Sequence, residues 1–351
     1  MSGAAVLGIE TSCDETACAV VAGGQHVLAS AVASQIDLHA RYGGVVPEIA
    51  SRAHIEAINS IIERALDESG VAPADLDGVA VTHEPGLIGS LLIGLTAAKT
   101  LAWAWGKPLV GVNHVYAHAY AAALDAEPID YPAAALICSG GHTALYRCDS
   151  PTELALLGST IDDAAGEAFD KVASILGLGY PGGPAIDQAA RDGDPAAVRF
   201  PRTLLKGQSL DFSFSGLKTA VLYHVRGVPG RRRKGEAEPK KRGLESFNRQ
   251  EIADIAASFQ AAVVDVLRIK LRRAAKHVGA RTLILGGGVS ANTALRAVAA
   301  ALAERLGCTL RMPAMEYCVD NAAMTAGLAW HYLRAGHTDG LDLAAHATVR
   351  R

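Results

Sequence analysis

Residues 5–22 read Ala5-Val-Leu-Gly-Ile9, then Glu10-Thr-Ser-Cys-Asp-Glu15, then Thr16 and the apolar run Ala17–Ala22. A short apolar run that stops at a polar turn and resumes predicts strand, turn, strand. The same design returns at Ala133–Cys138, Ser139-Gly-Gly-His-Thr143 and Ala144–Arg147. Each unit opens a stretch in which strands and helices alternate, which predicts a duplicated α/β plan. The two units share almost no identical residues, so the repetition is one of pattern.

Working outward, Ser51–Ser69 places Ile55, Ile58, Ile62, Ala65 and Leu66 on one helical face. Gly78–Thr82 predicts a buried strand, followed by a Pro-Gly turn and an apolar helix from about Leu87. Leu109–Val112 predicts a strand that delivers the chain to Asn113-His114. In the second half, Asn248 with Glu251 three residues on predicts a capped helix start, and that helix runs towards His277. Thr282–Leu285 reads as a strand, Gly286-Gly-Gly-Val-Ser290 as a turn and Asn292 to Leu306 as a helix. A Gly-rich turn between strand and helix lets backbone N–H groups approach an anionic ligand. A last helix, about Asn321–Arg334, is expected to pack back on the first half.

The chain has 351 residues, half of them hydrophobic and a fifth charged, with a formal net charge of −3. That is more than one ordinary core holds, so two lobes are expected. The composition excludes collagen, coiled coil and wholesale disorder. The six cysteines form no CxxC pair, which argues against a zinc ribbon or a disulfide scaffold and for reduced thiols in a cytoplasm. Glu10, Asp14 and Glu15 interrupt any apolar core of a signal peptide, so no export is expected. Pro85–Trp105 contains Lys99 and is followed by Gly106-Lys107-Pro108, which fits a buried helix better than a membrane span. Residues 226–242 hold eight Arg or Lys and two Glu, a local +6 that leaves −9 for the rest. Such a segment is either an arm that finds phosphates or a solvated loop.

His114-Val-Tyr-Ala-His118 sets two imidazoles one helical turn apart, a spacing that lets both bind one metal ion. A zinc protease would need Glu at the second position as its base, and Val115 stands there. Helix-capping structural histidines are the commoner explanation of an arbitrary HxxxH. Asp320, where an extended segment meets the final helix, is the best third ligand, with helix capping as its ordinary alternative. Two His and one carboxylate leave positions open for substrate, the facial arrangement that Fe(II) favours and zinc also accepts. Ser139-Gly-Gly-His-Thr143 can wrap an oxyanion or phosphate, or be a plain Gly-Gly hairpin. Asp170 and Asp187 could bind ribose hydroxyls or an amine. Asp211–Lys218 alternates Phe212 and Phe214 with Ser213 and Ser215, which reads as a strand end.

Taken together, several motifs resemble one family. They are Gly8–Glu15, Gly44–Glu48 with Ser51–His54, Pro85–Ser90, Gly111–His114 with His118, Ser139–Thr143, Phe169–Lys171, Phe212–Lys218, Gly286–Ser290 with Asn292, and Cys318–Asn321. In this order, over nearly the whole chain, they look like the TsaD family. The resemblance implies an α/β protein with the two-lobed fold of actin-like ATPases and sugar kinases (ASKHA), each lobe a mixed sheet flanked by helices. It implies a first lobe at 1–125 completed by a C-terminal helix, 321–345, and a second at 131–320, with 226–242 as a flexible basic insert. The activity implied is transfer of threonylcarbamoyl from threonylcarbamoyl-AMP to the N6 amine of the adenosine beside the anticodon, in tRNAs that read codons beginning with A.

The resemblance also carries residues over. His114, His118 and Asp320 would hold one divalent transition metal, Fe2+ by preference or Zn2+. Ile137, Cys138, Ser139, Gly140, Gly141, Asp170, Gly183, Asp187 and Asn292 would hold the acyl-adenylate. Asp14 and Glu15 match an acidic turn that faces the cleft. A TsaB paralogue and a TsaE ATPase are the implied partners, with no membrane. The chain departs from the family in having Ala117 where Gly is usual before the second histidine, and in the length and charge of 226–242. A phosphotransferase or a nucleotide-dependent binding module on the same fold is the alternative.

Overall fold

The computed structural model describes residues 4–203, 207–227 and 243–348. The basic insert therefore lies, from 228 to 242, outside the described residues. The first half runs β1 (Ala5–Glu10), β2 (Glu15–Ala22), β3 (His26–Ser34), α1 (Ile36–Ala40), α2 (Pro47–Ser69), β4 (Leu76–Glu84), α3 (Ile88–Trp105), β5 (Leu109–Asn113) and α4 (His114–Tyr120). The second runs β6 (Ala133–Cys138), β7 (Thr143–Cys148), β8 (Leu154–Ser159), α5 (Ala165–Ile175), α6 (Gly182–Ala190), α7 (Ser215–Arg226), α8 (Arg249–Val278), β9 (Thr282–Gly286), α9 (Thr293–Leu306), β10 (Thr309–Arg311) and α10 (Ala322–Arg334).

The two sheets have one plan. Strand order is β3-β2-β1-β4-β5 in the first and β8-β7-β6-β9-β10 in the second. In each, the opening strand pairs antiparallel with its hairpin partner and parallel with the strand that follows the first long helix. β1 and β6 are buried along their whole length, as central strands covered on both faces must be. Hence their unbroken apolar runs. Each run ends where the sheet's carboxyl edge opens, which puts Glu10–Glu15 and Ser139–Thr143 on facing rims.

The last helix returns to the first sheet. α10 lies on β1, β2 and β4, and the approach is close enough that a Cβ at Gly8 would sit 2.5 Å from the Ala322 carbonyl oxygen. It stops at Arg334 rather than extending to 345. From there the chain continues as a non-helical strap, where the Asp339 N–H donates to the Leu109 carbonyl and the His346 N–H to that of His83. α3 is the one helix among the described residues that is long and apolar enough to cross a membrane. Here it packs on β4 and α2 and buries Leu91, Leu95, Ala98 and Ala102. α8 opens with the capping box of Asn248 and Glu251 and supplies the spine of the second core, where Phe259 meets Phe169 edge-on. All six cysteines are free.

The Phe–Ser alternation does not form a strand end. Phe212 makes an isolated bridge to Thr160 and α7 begins at Ser215. Phe212 and Phe214 are fully buried and stacked, while Ser213 and Ser215 both donate to Asp162 at 2.6 Å. The N–H groups of Phe214 and Ser215 donate to the same carboxylate, which starts the helix from outside it.

Candidate functional site

β5 ends at Asn113, whose side-chain oxygen accepts from the N–H groups of Val115 and Tyr116 and so starts α4 at His114. One turn on, His118 lies on the same face, its ring edge-on to that of His114 with centroids 4.5 Å apart. Asp320 arrives from the other end of the chain. It does not cap α10: Asn321 does, accepting from the Met324 N–H. The Asp320 carboxylate is thus left to face the histidines, with Oδ1 3.1 Å from His118 Nε2 and 3.5 Å from His114 Nε2. One ligand atom from each of the three lies within 4.8 Å of the others.

A fourth residue fixes the arrangement. Glu10, fully buried at the end of β1, places Oε2 3.2 Å from His114 Nδ1, and Ser12 Oγ lies 3.1 Å from the same nitrogen. Glu10 is held in turn by the Ser12 N–H and the Thr82 hydroxyl. A carboxylate on one imidazole nitrogen orients the other as a metal ligand and raises its basicity. Burial disfavours charge on His114, yet Asp320 and Glu10 push it up to about 9. His118 is held down by burial and by His114, and His142 is pushed down to about 4 by burial and both neighbours. Burial, Asp320 and Asp14 together hold the Glu15 carboxyl well above the ordinary carboxylate range. Two oriented imidazoles and a carboxylate, ringed by further buried acids, suit a divalent cation.

His114 and Asp320 line the floor of a cleft of about 550 Å³ between the two rims, with His118 buried beside them. Asp14 and Glu15 line one side; Ser139, Gly140, Gly141, His142 and Asp170 line the other. A Cβ at Gly140 or Gly141 would meet nothing within 4 Å, so this turn faces open space. Ile137 and Cys138 are buried in β6 and do not line the cleft. Asp170 accepts from the Gly182 N–H at the start of α6, beside Gly183. Asp187 and Asn292 meet each other, not the cleft: Asn292 Nδ2 donates to Asp187 at 3.2 Å and to Gln260 at 2.7 Å.

Two residues that shape the site have no role assigned to them from sequence. Glu10 reads as the first polar residue of a turn. Arg296 reads as a helix-surface arginine, yet it donates to the carbonyls of Ser290 and Pro313 and to Cys318 Sγ. It thereby ties the Gly-rich turn to the segment that ends in Asp320.

Two sheets of matching order facing a cleft define an actin-like ATPase and sugar-kinase (ASKHA) fold, here with a His-His-Asp cluster whose ligand atoms lie close enough to share a metal ion. The solved structure of HypF from T. kodakarensis has the same fold, with a TM-score of 0.60 and 14% identity over 96% of this chain and 49% of that one. The pattern of the family described as "TsaD: tRNA N6-adenosine threonylcarbamoyltransferase" matches residues 26–327, and the chain belongs to that family. A tRNA N6-adenosine threonylcarbamoyltransferase of Anaeromyxobacter dehalogenans is 52% identical over 348 residues, 98% of this chain and 99% of that one. One from Trichlorobacter lovleyi is 51% identical over 343 residues, 98% and 96% of the two chains. The chain is accordingly a transferase, and the phosphotransferase and binding-module alternatives are not favoured.

Proposed function

We propose that this protein transfers the threonylcarbamoyl group of threonylcarbamoyl-AMP to the N6 amine of the adenosine beside the anticodon, at position 37, in tRNAs that read codons beginning with A. The observation that supports it is the meeting of His114, His118 and Asp320 at the floor of a cleft walled by an acidic turn and a Gly-Gly turn. His114, His118 and Asp320 would hold one divalent transition metal, Fe2+ in preference to Zn2+. When bound, that ion supplies Lewis-acid stabilisation of charge on the phosphate–carbonyl portion of the donor.

The chain's own residues do the rest. Ser139–Gly141 seats the mixed anhydride, since a turn without side chains lets backbone dipoles approach an oxyanion. Asp170 and Gly183 hold the nucleotide end, with Ile137 and Cys138 as the strand that fixes the turn and the Asp187–Asn292 hydrogen bond joining α6 to the start of α9 behind them. The N6 nitrogen attacks the carbamoyl carbon, the carbon–oxygen bond to phosphate breaks, and AMP leaves with the electron pair. Asp14 takes the proton lost by the amine, with Glu15 orienting that amine. An aromatic amine is a weak nucleophile, so close positioning and an activated donor supply most of the rate. A TsaB paralogue and a TsaE ATPase are the expected partners, in the cytoplasm.

The test supplies acyl-adenylate, substrate tRNA and the partner proteins to wild type and to a His114→Ala, His118→Ala double variant. Expected is transfer by the wild type and at least a hundredfold loss in the variant, together with loss of bound metal. Full transfer by the metal-free variant would overturn the metal assignment.

A further inference from the structure

Asp14 and Asp320 line the inner cleft with acidic side chains, and Glu167 and Asp170 carry further acids to its rim. An RNA chain that delivers a base here bears a phosphate on either side of the base, and this wall repels both. The base enters; the phosphates need cations outside the cleft. A second groove, about 440 Å³, opens beside it and shares Gly44, Glu167 and Asp170 with it. The far wall of this groove carries Lys171 of α5 and Lys218 and Arg226 of α7.

The two lysines are held in place. Asp163 lies 3.2 Å from Lys171 Nζ and 2.7 Å from Lys218 Nζ, and Glu167 takes Lys171 at 2.6 Å. Asp163 is only 15% exposed, while the Lys171 and Lys218 side chains are 39% and 26% exposed. The acid is therefore the layer beneath and the ammonium groups are the layer above. An ammonium has three donors, so a lysine anchored from below still offers one outward. Anchoring also removes much of the side-chain freedom that binding would otherwise cost. Arg226, exposed at the last residue of α7, extends the row away from the cleft.

We propose that this groove is the track for the phosphates flanking the target adenosine, with Lys218 and Arg226 as direct phosphate contacts and Lys171 as the cation nearest the cleft. The proposal rests on the tRNA-modifying reading above. It differs from the expectation attached to the basic insert, because the cations it invokes, Lys171, Lys218 and Arg226, all lie outside residues 228–242.

The test measures tRNA affinity of the full chain by fluorescence anisotropy between about 50 and 200 mM salt. The proteins compared are wild type, Arg226→Gln, Lys218→Gln/Arg226→Gln and a deletion of 228–242. Each lost phosphate contact should reduce the slope of log affinity against log salt by about 0.7 to 0.9. The double variant is expected to lose at least fivefold in affinity and about two such increments of slope. Arg226→Gln, on an exposed side chain, should lose one, and metal content checks that each variant is folded. Unchanged slope in both point variants, with the whole salt dependence lost on deleting 228–242, would overturn the groove. A wild type that transfers nothing to tRNA takes down the functional reading and the groove with it; a wild type that transfers while the variants keep their slope takes down the groove alone.

Discussion

The two strand–turn–strand units share a fold position but have opposite chemistry. The first turn holds Glu10, Asp14 and Glu15, all buried, and Glu10 reaches across to His114. The second, Ser139–Thr143, holds no carboxylate; its Gly140 and Gly141 face open space, and its Ser139 hydroxyl accepts from the His142 N–H. An anionic donor can approach the second rim freely, but the first repels it unless a cation stands between. His114, His118 and Asp320 sit where that cation would be required. The two turns thus hold equivalent places in the fold, one carrying carboxylates and the other none.

The sharpest way to break this contrast is to neutralise the acidic rim without changing its shape. Glu10→Gln keeps the volume and an acceptor for the Ser12 N–H, but it puts an amide NH2 where Oε2 accepts from the Thr82 hydroxyl and removes the charge beside His114 Nδ1. Loss of such an outer partner typically costs about 10- to 100-fold in metal affinity. Competition titration against a chromogenic chelator should show a drop of that size. Metal affinity equal to wild type would mean that Glu10 merely fills space.

A smaller effect should come from the neutral rim. Gly141→Ala adds a methyl that meets no protein atom within 4 Å, so the melting midpoint should stay within about 1 °C of wild type while KM for the acyl-adenylate rises several-fold. Gly166→Ala, one layer behind, places its methyl 2.5 Å from the Ser139 carbonyl oxygen and should instead cost about 1–3 kcal/mol of stability. Steady-state kinetics and thermal melts on the pair separate the two roles. Equal KM in Gly141→Ala and wild type would remove the turn from the donor site.

Much of this was legible in the sequence, because it depends on local pattern. Two buried central strands announce themselves as apolar runs, the helical spacing of His114 and His118 forces a shared face, and Asn248 with Glu251 is a self-contained cap. What escaped the sequence depends on distance along the chain. Glu10 acquires its role from a residue 104 positions away, and Asp162 turns Ser213–Ser215 into a helix start from 51 and 53 positions away. Asp187 and Asn292, 105 apart, find each other rather than the cleft. No window of local sequence contains either partner of such pairs together, so strand and helix periodicity alone misread the Phe–Ser segment. The place of Asp320, where an extended segment meets the last helix, marks it in the sequence as a candidate third ligand, but only the fold frees it, by letting Asn321 cap the helix.

The second half also keeps carboxylates near the cleft: Asp170 and Glu167 line it, while Asp163 is paired with Lys171 and Lys218. Partial burial works against charge on Asp163, yet Lys218 and Lys171 draw its carboxyl below the ordinary aspartate range. A group whose folded pKa is depressed adds stability above its unfolded value, and that contribution is lost as pH falls through the folded value. Asp163→Asn should therefore lower the melting midpoint by about 1–2 °C at neutral pH, as expected for a part-exposed ion pair in a chain of this size. The difference should hold down to about pH 4, the ordinary aspartate value, and then shrink towards zero as the wild-type carboxylate is protonated. Thermal melts from pH 7 down to pH 3 check the sign. If the gap between the two proteins widens on acidification, the lysines do not stabilise the charged form of Asp163. The contrast between an acidic turn beside His114 and acids already matched to lysines would then fail on its second side.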